Sequence, residues 1–594
     1  MNAKVKSILS VTWKVGLGLI GLTALVIGII ILPCIARWKS VRSPDTEVRY
    51  IIEAPRGNIY DANGNLIATS KEEYDVHLDC AIIQNSTEWK EKTLALAPQL
   101  AALLPERGAA EWWDYLQDGR KYEKRYLRIA KGISPEKKDA LSRLPIFDMK
   151  PLEGGAIYES YQARVYPYDS LARRTIGYTR PAGGLMIGIE GKWDNNLRGT
   201  DGCSVFRYNR AEGRGNKKET ARTGAVPGAD LQTTLSMPIQ LAADSVLRSV
   251  LNEETDLESG CLILMEVHTG AIRAMVNLSK GQREYSSGKA WERFNCAIAS
   301  LYEPGEVLQT MTLASVLRDG YVRSLDETVP TNHGILPDYQ QDIHLLDYER
   351  SNGADSITVK EGFAQSSKYV FGKLATDYYS GSEVYYTEGI GAWCLPNSVD
   401  FDVDGFRQVD ITHPEGLYWN SGTLPSMANG HGLVMAPLDI LSFYNTIANR
   451  GDMVQPYLVE TIRLGKETLY QHMTSILKAP AMTPAVADTL AKALRYVTAD
   501  GTGKRLQDAK APIAGKTGTA LQILNPGNEL RPVEDPYHDN DGRHKIVATY
   551  AGFFPAEKPQ YSVICALYSY PSKKTFFGGT SAGQVVKDLV NKLD

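Results

Sequence analysis

The chain has 594 residues, of which 43% are hydrophobic and 23% are charged, and its formal net charge at pH 7 is -4. These values are ordinary for a globular protein and leave room for more than one domain. The slightly acidic balance gives no basis for a nucleic-acid partner.

An uncharged apolar segment lies close to the N-terminus. Val15–Ile35 is 21 residues long, and as a helix it would span ~31 Å, which matches the hydrocarbon core of a bilayer. Residues 15–36 are therefore predicted to be a single membrane span after a cytoplasmic tail, residues 1–14. Basic residues flank the span on both sides, so charge bias alone does not orient it. Because the tail is short and the following body is large, we expect an anchor in the inner (cytoplasmic) membrane with a periplasmic or other extracytoplasmic body.

Three turn-rich segments follow the predicted span. They are Arg56–Ala68, in which Asp61–Gly64 is a hairpin turn; Arg164–Pro167 with Ile176–Tyr178; and Gly188–Gly191 with Leu197–Gly202. Singly, each is an ordinary glycine-containing turn. A polar, basic and glycine-rich run then extends over Arg210–Lys218 and is typical of a solvated linker or an extended hairpin. These features predict one module over residues 37–226 and a second domain over residues 227–594.

The second domain is predicted to mix strands and helices. In chain order we expect a strand near Asp230, a helix from about Pro238, a β-hairpin that turns at His268–Gly270, strands at Ile546–Gly552 and Tyr561–Tyr568, and a helix at Ser581–Leu593. Terminal strands around a helical middle indicate a layered α+β domain.

Three short motifs in this domain carry the functional interpretation. Tyr302–Gln309 reads Tyr-Glu-Pro-Gly-Glu-Val-Leu-Gln, Ser366–Lys368 reads Ser-Ser-Lys, and Lys516–Thr519 reads Lys-Thr-Gly-Thr. Leu424–Met427 and Ala436–Leu438 lie between them. A lone Lys-Thr-Gly is a weak signal, but the order and spacing of the whole set are much more specific.

This set resembles the active-site motifs of the penicillin-binding proteins, in which Tyr-Glu-Pro-Gly leads into Ser-x-x-Lys and is followed by Ser-x-Asn and Lys-Thr-Gly. The turn-rich segments resemble the boxes of the non-catalytic module in the class B, monofunctional members. The short interval from Gly177 to Gly188 resembles the division-type, septal members. The resemblance implies an α+β protein with an N-terminal membrane helix and an elongated, β-rich pedestal of the dimerisation type. It also implies a C-terminal transpeptidase domain of the serine β-lactamase-like fold, with an antiparallel sheet and helices.

The departures from the family motifs concern the reactive residues. Glu306 stands at the position of the nucleophilic serine and Gln309 at that of the basic lysine. A glutamate cannot form a stable ester with a peptidyl donor, and a glutamine has no basic lone pair. In the second motif Ser366 is kept, but Lys368 replaces the asparagine. The third motif is intact, as Lys516, Thr517, Gly518 and Thr519.

These replacements predict a new ion pair. In the family fold the positions of Glu306, Lys368 and Lys516 converge, and an unpaired charge in a cleft is costly. We therefore expect Glu306 to lie within ion-pair reach of Lys368 or Lys516.

The resemblance implies a function in septal peptidoglycan synthesis and cell division. The hypothesis favoured by the replacements is a pseudo-transpeptidase that acts as a scaffold or regulator of a SEDS-family glycan polymerase, together with other division proteins and the membrane. One alternative is an active D,D-transpeptidase or carboxypeptidase that binds penicillin and uses another nucleophile, for which Ser366 is the best candidate, with Lys368 two residues away. Another is a sensor that binds peptidoglycan stem peptides (muropeptides) or β-lactams without acylation.

No cofactor or metal is predicted. Asp400–Gly405 matches the start of a calcium loop, but Ile411 occupies the position of its bidentate glutamate. His538–His544 is interpreted as a polar loop. The seven cysteines show no metal-type spacing; Cys261 and Cys565 are expected to be buried thiols, and a disulfide among the others is left open.

Overall fold

The computed structural model describes residues 45–178, 187–209, 217–281, 291–331, 355–522, 524, 537, 542–570 and 576–593. The predicted membrane span, the interval 179–186 and most of the Arg210–Lys218 run lie outside these ranges. Within them, no helix is both long enough and apolar enough to cross a bilayer.

Contacts divide the chain into two units, and neither unit is continuous in sequence. Among the described residues, the smaller comprises those within 45–56, 70–163 and 198–228, and the larger comprises those within 57–69, 164–197 and 229–593. Two stretches that the sequence assigned to the first module, 57–69 and 164–197, therefore belong to the larger unit. The linear boundary near residue 227 stays a prediction.

The smaller unit is built on β-strands with a helical layer. Its strands are Asp45–Ile52, most of Leu66–Leu78, Leu127–Ile133, Ala156–Val165, Gly202–Asn209 and Lys217–Thr223, and its helices are Ser86–Leu103, Ala109–Lys121, Pro135–Leu141 and Pro151–Gly154. The first helix starts at Asn85, whose side chain accepts hydrogen bonds from the N–H groups of Thr87 and Glu88. Trp89 and Trp112, both 1% exposed, anchor the core between these helices and the strands.

The larger unit contains the predicted α+β domain. Its strands are Ile59–Tyr60, the start of Leu66–Leu78, Asp230–Thr233, Leu257–Glu266, Ile272–Ser279, Thr328–Pro330, Ser356–Thr358, Asp410–Ile411, Leu433–Val434, Met453–Val454, Val459–Leu464, Glu467–Gln471, Ile476–Lys478, Ala514–Leu521, Ile546–Phe554 and Tyr561–Ser569. Its α-helices are Arg173–Ile176, Gly188–Lys192, Asp194–Leu197, Met237–Glu253, Cys296–Ala299, Gln309–Arg318, Val359–Ala364, Lys368–Tyr379, Glu383–Ala392, Thr423–Met427, Pro437–Ala448, Pro484–Asp500 and Ala582–Lys592, with 3-10 turns at Gly305–Leu308 and Lys504–Leu506.

A five-stranded antiparallel sheet forms the centre of this unit. The strands run in the order 272–279, 257–266, 561–569, 546–554 and 514–521, so the last strand lies at an edge. Alternate residues of a strand point to opposite faces. Leu262 and Leu264 pack with helices 237–253 and 582–592, whereas Ile263 and Met265 pack with helices 309–318, 437–448 and 484–500. The sheet is therefore covered by helices on both faces, which explains its nearly continuous apolar strands.

The expected secondary structure of this domain is confirmed to within a few residues. The Asp61–Gly64 turn separates Ile59–Tyr60 from Leu66–Leu78, and Asp61 Oδ1 accepts hydrogen bonds from the N–H groups of Asn63 and Asn65 at 2.9 and 2.7 Å. Cys261 and Cys565 are buried free thiols, and the other described cysteines are also free.

A buried ion pair that the sequence did not suggest joins the second and third turn-rich segments. Arg164 Nε lies 2.6 Å from Glu190 Oε1, with 6% and 0% of the two side chains exposed. Removing one partner of a buried ion pair leaves the other charge unpaired and strongly destabilises the fold. It gives the two segments a structural role within the larger unit.

Candidate functional site

The segment that carries Glu306 is a tight turn leading into a helix. Gly305–Leu308 forms a 3-10 turn that continues into the α-helix Gln309–Arg318. Gly305 has φ +62°, and its N–H donates to the carbonyl of Gly430 at 3.1 Å. A Cβ on Gly430 would lie 2.0 Å from the Gly305 carbonyl oxygen. The backbone before Glu306 is thus held by a contact that only glycine permits.

The intact motif lies on the edge strand Ala514–Leu521. This strand pairs along its whole length with Ile546–Phe554, with Lys516 opposite Ala551 and Thr519 opposite Ala548. The Thr519 N–H is directed away from that partner strand, because it donates to a carboxylate of the neighbouring turn. The strand therefore presents polar backbone to the segment that contains Glu306.

The Glu306 carboxylate is held between this strand and the Ser-Ser-Lys segment. Its Oε2 accepts the Thr519 N–H at 2.8 Å, and its Oε1 lies 3.5 Å from Lys368 Nζ. Burial alone would raise the pKa of Glu306, but Lys368, Lys516 and the N–H groups of Thr519 and of Glu306 itself outweigh it and hold the pKa below its usual value. The carboxylate is ionised at neutral pH, and the expected ion pair with Lys368 is confirmed.

Lys516, the other lysine expected as a possible partner of Glu306, contacts Ser366 instead. Its Nζ lies 2.5 Å from Ser366 Oγ and 3.2 Å from the Thr517 carbonyl oxygen. The residue is 0% exposed, and burial lowers the pKa of Lys516 to about 7 although Glu306 opposes the shift. Ser366 has φ +59°, a strained value for a residue with a side chain.

Gln309 is part of a neutral amide network. Its Nε2 donates to Asn429 Oδ1 at 2.9 Å and to the Ser367 carbonyl at 3.4 Å. The Asn429 side chain in turn donates to the carbonyls of Lys368 and Pro425. Gln309 Oε1 is buried without a hydrogen-bond partner in the described part of the chain. This network fixes the backbone that supplies these carbonyl groups. Its amide groups are not basic enough to accept a proton from a nucleophile.

A second carboxylate lies just before the turn. Glu303 Oε2 is 3.0 Å from His431 Nδ1, and Glu303 Oε1 accepts from the Gly432 N–H at 2.9 Å and from the Tyr537 hydroxyl at 3.1 Å. These contacts tie the turn to the glycine-rich segment after Asn429. Sequence reasoning missed this partner segment, although its Asn-Gly-His-Gly pattern is a turn signal.

The three motifs thus meet at one place. Glu306 contacts both Lys368 and Thr519, Ser366 contacts Lys516, and Thr517 Oγ1 lies 2.7 Å from Thr502 Oγ1. Gly518 lies between Thr517 and Thr519 on the same strand. The site residues that the sequence did not identify are Glu303, Asn429, His431 and Thr502, which come from separate segments.

The rejected metal candidates have structural partners. Asp400 and Asp404 lie 2.5 and 3.6 Å from Lys192 Nζ, and Asp402 accepts the N–H groups of Leu458 and Val459. No group of three or more potential metal ligands occurs among the residues that the structure describes. Most of His538–His544 lies outside them.

Comparison with known proteins identifies the two parts of the chain. The penicillin-binding protein transpeptidase domain matches residues 260–591, and the penicillin-binding protein dimerisation domain matches residues 51–233. The chain therefore belongs to the penicillin-binding protein family. The presence of both domains, together with the relatives that it resembles, makes it a class B member of the division type.

The relatives are distant but match over most of their length. The chain is 23% identical over 568 residues to the peptidoglycan D,D-transpeptidase FtsI homolog of Mesostigma viride, covering 91% of this chain and 87% of that one. It is 24% identical over 576 residues to the peptidoglycan D,D-transpeptidase FtsI of Escherichia coli K12, covering 92% and 86%. Among solved structures, penicillin binding protein 2X from Streptococcus thermophilus superposes with a TM-score of 0.68 at 18% identity, covering 92% of this chain and 79% of that one.

Proposed function

We propose that this chain is a class B penicillin-binding protein of septal wall synthesis that does not acylate, and that it acts as a pseudo-transpeptidase scaffold or regulator of a glycan polymerase. The family is established by the domain matches, and its division type by these matches together with the relatives. The loss of acylation is our inference from the residues that meet at the site.

The contact between Glu306 and Thr519 is the observation that carries this proposal. In acyl transfer, two backbone N–H groups stabilise the oxyanion of the intermediate. In this chain the corresponding amides are those of Glu306 and Thr519, and both stabilise the Glu306 carboxylate. A tethered anion therefore occupies the place where a substrate oxygen would bind.

The residues around this carboxylate agree with a non-acylating site. Glu306 has no hydroxyl to attack a carbonyl, and Gln309 has no amine to accept its proton. The serine, two lysines and asparagine of the family motifs carry two positive charges, whereas Glu306, Gln309, Lys368 and Lys516 carry one when Lys516 is protonated. The lost lysine and the gained carboxylate are partly offset by Lys368, so the replacements form a consistent set.

The location and partners belong to the same proposal. Residues 15–36 would anchor the chain in the cytoplasmic membrane, with the body on the extracytoplasmic side. The polymerase would be of the SEDS family and would contact the anchor and the residues 37–226. The membrane-length apolar stretch and the relatedness to division-type proteins support this assignment.

A second candidate function rests on the contact between Ser366 and Lys516. A serine hydroxyl 2.5 Å from a buried lysine, whose burial lowers its pKa to about 7, is the arrangement of a serine–lysine nucleophile pair. In this alternative the base is Lys516 and not Lys368, whose amine faces Glu306. The third alternative, a sensor that binds muropeptides without acylation, requires a ligand to displace the Glu306 carboxylate.

Intact-protein mass spectrometry after penicillin treatment distinguishes these functions. We expect no adduct on the full-length chain under conditions in which E. coli FtsI is labelled. A stoichiometric adduct would contradict the proposal, and its loss in Ser366→Ala would assign it to the second candidate. A muropeptide titration of the unmodified chain tests the third.

The scaffold role needs a separate measurement. The full-length chain should co-purify with a SEDS-family polymerase and change its rate of glycan synthesis. Glu306→Ala should leave that change intact, because the carboxylate fills a site that the regulatory role does not use. If the chain neither binds the polymerase nor alters its rate, the scaffold proposal is wrong even when acylation is absent.

A further inference from the structure

A cavity of about 380 Å³ opens at one end of the five-stranded sheet. Each strand contributes a residue at that end: Glu258, Ser279, Tyr568, Lys545 just before its strand and Gln522 just after the edge strand. The segment around Arg293 closes the remaining side. A volume of this size is in the range of small-molecule sites in proteins.

The lining of this cavity is cationic in a chain with a net negative charge. Lys280, Arg293 and Lys545 line it together with one carboxylate, that of Glu258. Lys545 Nζ lies 2.5 Å from Glu258 Oε2, and Lys280 donates to the Glu254 carbonyl and lies near the carboxylates of Asp256 and Glu254. The Arg293 side chain is exposed and forms no ion pair with the described residues. A concave wall of one sign concentrates ions of the opposite sign.

Two buried polar groups in the lining make no hydrogen bond within the described structure. Tyr568 is 2% exposed, and its hydroxyl makes no hydrogen bond of full geometry to a described group, although the Ser300 side chain lies close enough to oppose the rise in its pKa. Gln522 Oε1 is likewise buried and unpaired. Burial raises the pKa of Tyr568 well above its usual value, so its hydroxyl stays protonated and can donate. Unpaired buried polar groups are uncommon and call for a partner.

We propose that this cavity is a binding site for a small organic oxyanion, a carboxylate or a phosphate. The guanidinium of Arg293 and the ammonium of Lys280 would pair with the oxyanion, and the Tyr568 hydroxyl would donate to it. Arginine binds both groups through paired N–H donors. The exposed ring of Phe294, 46% accessible, supplies an apolar wall for the rest of the molecule.

This cavity is separate from the Glu306 cleft. Gln522 follows Thr519 by three residues, which corresponds to ~10 Å along an extended strand. The two places are nevertheless connected, because the Tyr568 ring packs against Tyr302 at 5.9 Å between centroids, four residues before Glu306. The inference does not depend on whether the chain acylates.

Isothermal titration of the full-length chain with two probes tests the inference. The probes are inorganic pyrophosphate and N-acetyl-D-alanyl-D-alanine, and we expect saturable binding of at least one. Arg293→Gln should weaken that binding about tenfold, the equivalent of one charge-assisted contact. The probe that binds identifies the oxyanion as phosphate or carboxylate.

Two further variants separate a ligand role from a structural one. Tyr568→Phe keeps the ring and removes the unpaired hydroxyl, so it should weaken binding without lowering the unfolding temperature of the free chain. Lys368→Gln removes a positive charge from the Glu306 cleft and should leave the affinity unchanged. The inference is wrong if neither probe binds, if Arg293→Gln and Tyr568→Phe both bind normally, or if Lys368→Gln loses binding to the same extent as Arg293→Gln.

Discussion

The two sides of the Glu306 cleft have changed to different extents. On the strand side, Lys516, Thr517, Gly518 and Thr519 retain the family sequence, and the strand pairs with its neighbour along its full length. On the helix side, we infer from the motif resemblance that Glu306 and Gln309 replace both reactive residues and that Lys368 replaces the asparagine of the adjoining motif. The strand is part of the central sheet, so its sequence also maintains the core. On the helix side, the reaction would depend on only a few side chains, and these can change without altering the sheet.

On our proposal that the chain does not acylate, this difference indicates which constraints remain when a site is no longer selected for a reaction. Lys516 is fully buried and hydrogen-bonded to Ser366, so the surrounding packing holds its side chain in place even though burial disfavours its charged form. Glu306 and Gln309 also have partners: Glu306 contacts Lys368 and the Thr519 N–H, and Gln309 donates to Asn429 and to the Ser367 carbonyl. Side chains that only the reaction requires are the first that can change.

The largest expected effect concerns restoration of the helix side. The triple change Glu306→Ser, Gln309→Lys and Lys368→Asn should restore reaction with a fluorescent penicillin, whereas Glu306→Ser alone should react about 10²–10⁴-fold more slowly because it lacks the base. Pre-steady-state labelling measures both rates. Equal rates for the single and triple variants would mean that the helix side is only superficially altered.

The second prediction concerns the strand side and pH. Burial lowers the pKa of Lys516 from 10.5 to about 7, so between these values the unfolded chain binds more protons than the folded one. The free energy of unfolding should therefore rise with pH across that window, by at most about 1.4 kcal/mol per pH unit from this group. Urea denaturation at several pH values should show this rise.

Lys516→Met provides the matched control for this rise. The variant removes the amine and should flatten the pH dependence between pH 7 and 10. An unchanged slope in Lys516→Met would assign the effect to other groups. Glu306→Gln should shift the onset of the rise to lower pH, because the carboxylate that favours protonated Lys516 is then absent.

The third prediction concerns the anion that fills the oxyanion position. Glu306→Gln removes its charge and should lower the free energy of unfolding by about 1.5–3 kcal/mol at pH 7, the range for hydrogen bonds to charged groups. Asp326→Asn, which breaks the exposed pair with Lys360 at 2.9 Å, is the matched control and should cause no measurable change. A similar loss of unfolding free energy in both variants would show that the Glu306 carboxylate adds no more stability than an exposed ion pair does.

The smallest effect is expected for the other member of the cleft pair. The Lys368 side chain is 41% exposed and lies 3.5 Å from Glu306, so solvent screens the interaction. Lys368→Gln should change the free energy of unfolding by less than about 1 kcal/mol. A larger loss, measured by the same urea titration, would indicate that Lys368 is essential for holding the carboxylate.

Part of this architecture could be predicted from the sequence, for reasons visible in particular elements. The strands around His268 and Tyr561 have apolar runs bounded by turns, so their positions follow from local pattern. The proximity of Glu306 to Lys368 could be predicted only from the family resemblance. The contact of Gln309 with Asn429 joins residues 120 positions apart, and no periodicity reports such a pairing.

The burial of Lys516 was equally inaccessible to pattern reasoning. A lysine in a polar motif suggests an exposed charge, yet the packed segments around Ser366 exclude water from it. The pair of Arg164 with Glu190 shows the same limit, because each residue lies in a turn that is unremarkable alone. Buried polar contacts depend on the assembled fold and not on local sequence.

The contact between Gly305 and Gly430 has a consequence for how this site can evolve. These residues determine the path of the main chain into position 306, and the side chain at 306 takes no part in their contact. A serine, a glutamate or another residue would therefore start from the same Cα position, beside the same Thr519 amide. On our proposal, gain or loss of the reaction in this lineage would need codon changes at a few positions but no rearrangement of the backbone around residue 306.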